Sequence, residues 1–242
     1  MTIKPAKMAD HINRLCFEWE KASLVMSSNS TQVFSQGNNI NLVSWKNNGF
    51  TLKNNDFSSI SEYLTLLECS QYTMVLFDGS LLQISYSISR DKIIGHRLCW
   101  YPAPFDIGNE YEIGNIINSA HDILTRGCNT LMDHITNPNS PTYPIKINGV
   151  FSRSPIRIDY DEMPPDKKDA HPDVHLHISN ENCRIPVKGP LSIKDFMSFI
   201  IGNFYPELPL NGSLVNNLPT WDSADLLTQK NKERYHLNII SV

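Results

Sequence analysis

Two stretches decide the fold and hold the unusual chemistry: Ile156-Arg157-Ile158-Asp159-Tyr160-Asp161 and Val174-His175-Leu176-His177-Ile178. In an extended chain successive side chains point to opposite faces. Ile156, Ile158 and Tyr160 therefore share one face, and Arg157, Asp159 and Asp161 share the other. The second stretch repeats the pattern, with Val174, Leu176 and Ile178 apolar and His175 and His177 opposite them. A polar connector, 162–173, lets the two strands pair antiparallel as a long-looped hairpin within 150–188. That pairing predicts Arg157 and Asp159 beside His175 and His177. Arg184, one strand later, extends the polar face, and His171 with Pro172 stands at the exit of the connector.

Working outward, Met8, Ile12, Leu15, Trp19, Ala22 and Met26 recur at steps of three and four, which predicts a helix over 5–27. Two apolar runs, 39–45 and 50–52, flank Asn47-Asn48-Gly49, a hairpin turn by composition. Ser59 and Glu62 have capping-box spacing ahead of a helix over 59–69. A hairpin follows, 72–77 and 81–88 around Asp78-Gly79, with a third strand at 95–101. Helical spacing returns over 112–135, Ser192 and Asp195 open a helix to 203, another is expected over 222–234, and a terminal strand at 235–242. These elements predict an α+β fold, an antiparallel sheet with helices packed mainly on one face. The expected organisation is one domain over 1–242, the alternative being a division near 138–144.

The chain has 242 residues, 40% of them hydrophobic, and a formal charge of −4. Such a balance excludes a histone-like, globally basic mode of nucleic-acid binding, so any such binding needs a local patch. The acidic excess lies in 101–142, where Asp106, Glu110, Glu112, Asp122 and Asp133 face only Arg126. No apolar run is long enough for a membrane span, so no membrane partner is expected. Cys16, Cys69, Cys99, Cys128 and Cys183 are dispersed without a C-x-x-C pair, as expected of reduced thiols. The opening residues lack the cationic and apolar regions of a signal peptide, which gives the expectation of a bacterial-type cytoplasmic location.

The candidate catalytic residues are His175, His177, Arg157, Asp159 and His171. Metal-free phosphodiester chemistry needs groups of these kinds: imidazoles that exchange protons, an arginine to stabilise charge on a phosphate, and a carboxylate to orient an imidazole. RNA suits such a set, because its 2′-hydroxyl supplies the nucleophile. The expected cofactor and metal are none, although His-x-His with His171 and Asp159 or Asp161 also has the composition of a transition-metal site. A merely solvated sheet face carries charged residues too, with cross-strand pairs contributing roughly 0.2–1 kcal/mol. Against that stands the concentration of His171, His175 and His177 in a chain with 8 histidines, where Lys and Glu would solvate a face at less cost. His96, His121 and His134 are isolated and read as structural, while His236 could reach the polar face. Trp100-Tyr101 and Phe204-Tyr205 could stack a base but read more readily as core anchors. No glycine spacing suggests a nucleotide-binding loop.

The stretches Arg157 to Asp161, His171 to His177, Cys183 to Val187, Pro190-Leu191-Ser192 and Phe196 to Tyr205 resemble a bacterial domain-of-unknown-function family, number 2290. That resemblance implies no established activity. The Arg/Asp strand followed by His-Pro and His-x-His is also similar, more distantly, to the TumE-type toxins of toxin–antitoxin pairs, which would nominate Arg157, Asp159, His171, His175 and His177. Two functions are therefore expected. One is a toxin-like or phage-defence effector cleaving nucleic acid, RNA before DNA. The other is a non-catalytic subunit docking a protein partner, either an antitoxin or a larger defence component.

Overall fold

The computed structural model describes residues 3–46, 48, 60–107, 147–150, 154–168, 170–178, 180–208 and 214–239. Its eleven strands are β1 (Val25–Ser28), β2 (Thr31–Ser35), β3 (Ile40–Trp45), β4 (Met74–Leu76), β5 (Leu81–Ser89), β6 (Lys92–Tyr101), β7 (Phe105–Ile107), β8 (Ile147–Val150), β9 (Ile156–Asp161), β10 (Val174–Ile178) and β11 (Asn180–Pro186). Among the described residues the helices are α1 (Pro5–Lys21), α2 (Ile60–Glu68), α3 (Ile193–Phe204) and the single turn α4 (Gln229–Lys232). Nine strands form one antiparallel sheet in the order β1-β4-β5-β6-β9-β10-β11, with the β2-β3 hairpin joined to β5; β7 and β8 pair separately. The fold is α+β.

Alternation separates the two faces of this sheet. Leu82, Ile84, Tyr86 and Ile88 of β5 align with Trp100, Leu98, His96 and Ile93 of β6, and these with Ile156, Ile158 and Tyr160 of β9. Val174 and Leu176 continue the row onto β10. On this apolar face lie Met8, Ile12, Leu15 and Trp19 of α1 and Ile193, Phe196, Met197, Ile200 and Ile201 of α3, all fully or almost fully buried. Ser192 caps α3 as its sequence predicts: its hydroxyl accepts from the Asp195 N–H at 3.0 Å, and the Asp195 carboxylate accepts from the Ser192 N–H at 3.1 Å. At the far end of α3, Trp100 donates to the Tyr205 hydroxyl at 3.0 Å, which donates to Asp78 at 2.9 Å. Trp100 also stacks on Phe204 with ring centroids 4.0 Å apart, so both aromatic pairs are core anchors. α2 meets the other face, where Tyr63 packs on Tyr101.

Three sequence expectations change. α1 ends at Lys21 rather than 27, because Ser23 turns left-handed (φ 57) and the Leu24 N–H bonds back to Trp19; Met26, whose spacing continues the helical pattern, belongs to β1. A hairpin not expected from the sequence pairs β2 with β3 around Gly37-Asn38-Asn39, all at positive φ, while the turn expected at 47–49 and the run 50–52 fall, save for Asn48, outside the described residues. The expected helix over 222–234 shrinks to α4. The terminal strand reduces to one parallel bridge, Val187 to Leu237. The expected helix over 112–135 and the connector at 138–144 lie outside the described residues.

In place of the helix, an irregular strap over 214–239 is fixed by tertiary contacts. Trp19 and Trp221 donate to the carbonyls of Leu214 and Pro190, Ser223 donates to Pro190, and the Leu226 N–H bonds the Lys188 carbonyl. Gly189 permits that approach, since a Cβ there would collide with the Ala224 carbonyl and come within 2.9 Å of the Ser223 Cβ. Gly189→Ala should therefore lift the strap and destabilise the protein by about 1–3 kcal/mol. Limited proteolysis should show faster cleavage within 214–228, with the sheet's circular dichroism retained.

Candidate functional site

The opposite face of the same four strands is polar and nevertheless buried. Pairing of β6 with β9 sets Arg97 beside Asp159 and Cys99 beside Arg157, and pairing of β9 with β10 sets Asp159 beside His175 and Arg157 beside His177. Rows therefore run across the sheet, Arg97–Asp159–His175 and Cys99–Arg157–His177. Arg184 follows on β11, adjacent to Ile185, which pairs with Leu176 just before the register of β10 and β11 shifts, and its charge acts on both His175 and His177. Arg157, Asp159, His175 and His177 are each less than a tenth exposed.

Asp159 is the electrostatic centre. One carboxylate oxygen lies 3.4 Å from Arg97 Nε, and the other lies 2.9 Å from Arg157 Nε and 3.6 Å from His177 Nε2. Burial alone would raise its pKa, but the guanidiniums of Arg157 and Arg97, with smaller help from the histidines, outweigh it and hold the carboxyl below its ordinary value. The imidazoles respond oppositely. Burial pushes His175 down to about 4 despite Asp159, and burial reinforced by Arg157 does the same to His177. Both are neutral at pH 7.

Neutrality leaves lone pairs, and hydrogen bonding decides which. His175 Nδ1 donates to the Pro172 carbonyl at 2.9 Å, so its Nε2 is the proton acceptor. The rings of His171, His175 and His177 form an edge-to-face series with centroids 4.6 Å apart at each step. His171, half-buried, is held by a braced connector: Lys168 pairs with buried Asp173 at 2.7 Å, Asp173 accepts from the Met163 N–H, and Asn231 of α4 donates to the Lys168 carbonyl.

Asp159, His175 and His177 each offer a ligand atom within 4.8 Å of the others, enough to hold a transition metal. The fit is poor. Both Asp159 oxygens already face guanidiniums, and a dication would enter against the charge of Arg97 and Arg157.

The sequence-predicted residues Arg157, Asp159, His171, His175 and His177 are thus brought together. His236 is not: it is exposed on the strap and bonds the Arg234 carbonyl. His96 lies on the apolar face, where it accepts from the Leu191 N–H. His121 and His134 lie outside the described residues. Arg97 was missed, although alternation within 95–101 places it opposite Leu98 and Trp100; what the sequence lacks is the pairing of that strand with β9.

A model of the family described as "Uncharacterized conserved protein (DUF2290)" matches residues 24–239. The chain belongs to the DUF2290 family. The match takes in every residue of the site, from Arg97 to Arg184, together with the strap. No curated protein and no solved structure matches it. Among the described residues, no helix of this DUF2290 protein is long and apolar enough to cross a membrane.

Two outcomes follow from the electrostatics. Asp159→Asn removes the counterion of two guanidiniums, one of them buried, and should cost about 3–5 kcal/mol in urea denaturation; Asp225→Asn, which breaks an exposed pair with Lys232, should leave the midpoint unchanged. With falling pH, the histidines of the unfolded chain protonate from about 6.5 while folded His175 and His177 resist to about 4. The unfolded state then binds more protons, so stability should fall between pH 6.5 and 4. A His175→Gln/His177→Gln variant should show a shallower slope over that window.

Proposed function

We propose that this chain is a toxin-like or defence-associated effector that cleaves RNA at the polar face of its sheet, without a metal. The observation that carries the reading is the placement of neutral His175, its Nε2 free to accept a proton, beside an Asp159 clamped by Arg157 and Arg97. Buried titratable groups with strongly shifted proton affinities collect at working sites more often than at structural ones.

The chemistry is internal transesterification. The ribose 2′-hydroxyl gives its proton to His175 Nε2, or to His177, as its oxygen attacks the adjacent phosphorus. The bond from phosphorus to the 5′-oxygen breaks, and that oxygen takes a proton from water. A 2′,3′-cyclic phosphate and a 5′-hydroxyl remain. Arg157 and Arg97 offset the charge gathering on the phosphoryl oxygens, and Asp159 fixes their orientation. DNA has no 2′-hydroxyl and would need an activated water in its place. The partner of such an effector would be an antitoxin or a larger defence component, in the cytoplasm of a bacterial cell.

The test is a purified chain incubated with single-stranded RNA and with the same sequence bearing one 2′-deoxy position. Cleavage should stop at the deoxy linkage, and His175→Ala/His177→Ala should lower the rate by at least ~100-fold, the scale of a lost general base. Because the base is neutral down to about pH 4, the acid limb of the rate should fall near that value and not near 6.5. Intact RNA with the wild-type chain, and equal growth of bacteria expressing either protein, would leave the site to a non-catalytic subunit that docks a protein partner.

A further inference from the structure

Buried polar atoms in proteins almost always have partners, so an orphan marks a place where something is missing. Among the described residues the buried side-chain atoms without a hydrogen bond include Arg184 Nε, His177 Nδ1 and His171 Nδ1, all carried by the polar face of the site. Arg184 is the sharpest of these. A guanidinium is always charged, has only donors, and is expensive to bury without an acceptor. The buried carboxylate of the site, Asp159, is already shared by Arg97 and Arg157.

The strand register places Arg184 in context. His177 stands on β10 with Arg157 opposite it on β9, and Arg184 lies on β11 next to Ile185, the partner of Leu176, close enough for its charge to act on His177. A neutral imidazole is therefore flanked by two cations, and both guanidiniums contribute to keeping it unprotonated. The arrangement presents N–H groups and positive charge and calls for an anion rich in acceptor oxygens. A second cation would be repelled, and an apolar ligand would leave the donors unsatisfied.

We propose that Arg184 and His177 form an oxyanion subsite that binds a tetrahedral phosphate group, the Arg184 Nε–H and a His177 N–H donating to its oxygens. The proposal rests on the preceding reading only for the carrier of that phosphate, which there is the RNA backbone. Arg184 then differs in its surroundings from Arg157: Arg157 shares its charge between Asp159 and the ligand, whereas the Arg184 Nε–H has no protein acceptor. Arginine suits the position better than lysine, because its planar fork meets two phosphate oxygens at once.

Inorganic phosphate is the probe. Titrated into the full chain at constant ionic strength with chloride as control, it should bind saturably and raise the melting temperature. Arg184→Gln should abolish that binding and Arg184→Lys should weaken it several-fold, while Lys7→Gln on the exposed side of α1 should change nothing. Without phosphate, Arg184→Gln should melt no lower than the wild type, because a buried N–H without an acceptor has been removed; this separates loss of the subsite from loss of the fold. Equal phosphate binding by the wild type and Arg184→Gln, or no saturable binding by the wild type, would overturn the proposal. Saturable binding that needs Arg184 in a chain that leaves RNA intact would instead keep the subsite and discard the RNA-cleaving reading.

Discussion

The shared carboxylate of Asp159 is the constraint around which the polar face is built. Burying a guanidinium on a sheet is unfavourable unless an anion compensates it, and here one carboxylate serves Arg157 at 2.9 Å and Arg97 at 3.4 Å. That arrangement requires β6, β9 and β10 to hold one register. A slip by a single residue would turn Asp159 into the apolar core and present Ile158 to the guanidiniums. The hydrophobic pattern of Ile156, Ile158 and Tyr160 against Leu98, Leu176 and Val174 forbids that slip, so apolar packing on one side fixes the ionic geometry on the other.

Placing the site on paired strands has a mechanical consequence. Side chains on a ladder of backbone hydrogen bonds are held more tightly than side chains on loops, and the protein spends its loops elsewhere. The exception is His171, which belongs to the connector between β9 and β10. That connector is braced from two directions, by the Lys168–Asp173 pair and by Asn231 of the strap. The strap in turn depends on the close approach at Gly189. Residues far apart in the chain thus converge on one histidine, and the irregular C-terminal segment has a structural reason to avoid becoming a helix.

How far the sequence could be read follows from the range of the interactions. The hairpin of β9 and β10 was legible because alternation is local and both strands show it, and with it came Arg157, Asp159, His175 and His177. The Ser192–Asp195 capping box marks α3 for the same reason. Arg97 was not legible as a partner of Asp159, because β6 and β9 are far apart in sequence and nothing local to either names the other. Met26 was misread because three- and four-residue spacing continued past a left-handed residue, Ser23, that no periodicity reveals. The helix expected over 222–234 failed because contacts to Pro190, Lys188 and Lys168 outweigh a weak local preference. His236 failed with the strand that was to carry it.

The cations of this face act on two properties at once. Burial and the field of Arg157 and Arg184 keep His177 unprotonated, and the same field attracts an anion. An oxyanion seated between Arg184 and His177 cancels part of that field and raises the proton affinity of the imidazole it touches. Occupancy and protonation are therefore coupled: the face is a neutral base when empty and a better proton acceptor when filled. A lysine surface would have provided charge without this coupling, since its amine titrates far above the range where a buried imidazole does. On the proposed reading, three arginines, the carboxylate of Asp159 and the strand-borne His175 and His177 together hold a phosphate and make it reactive.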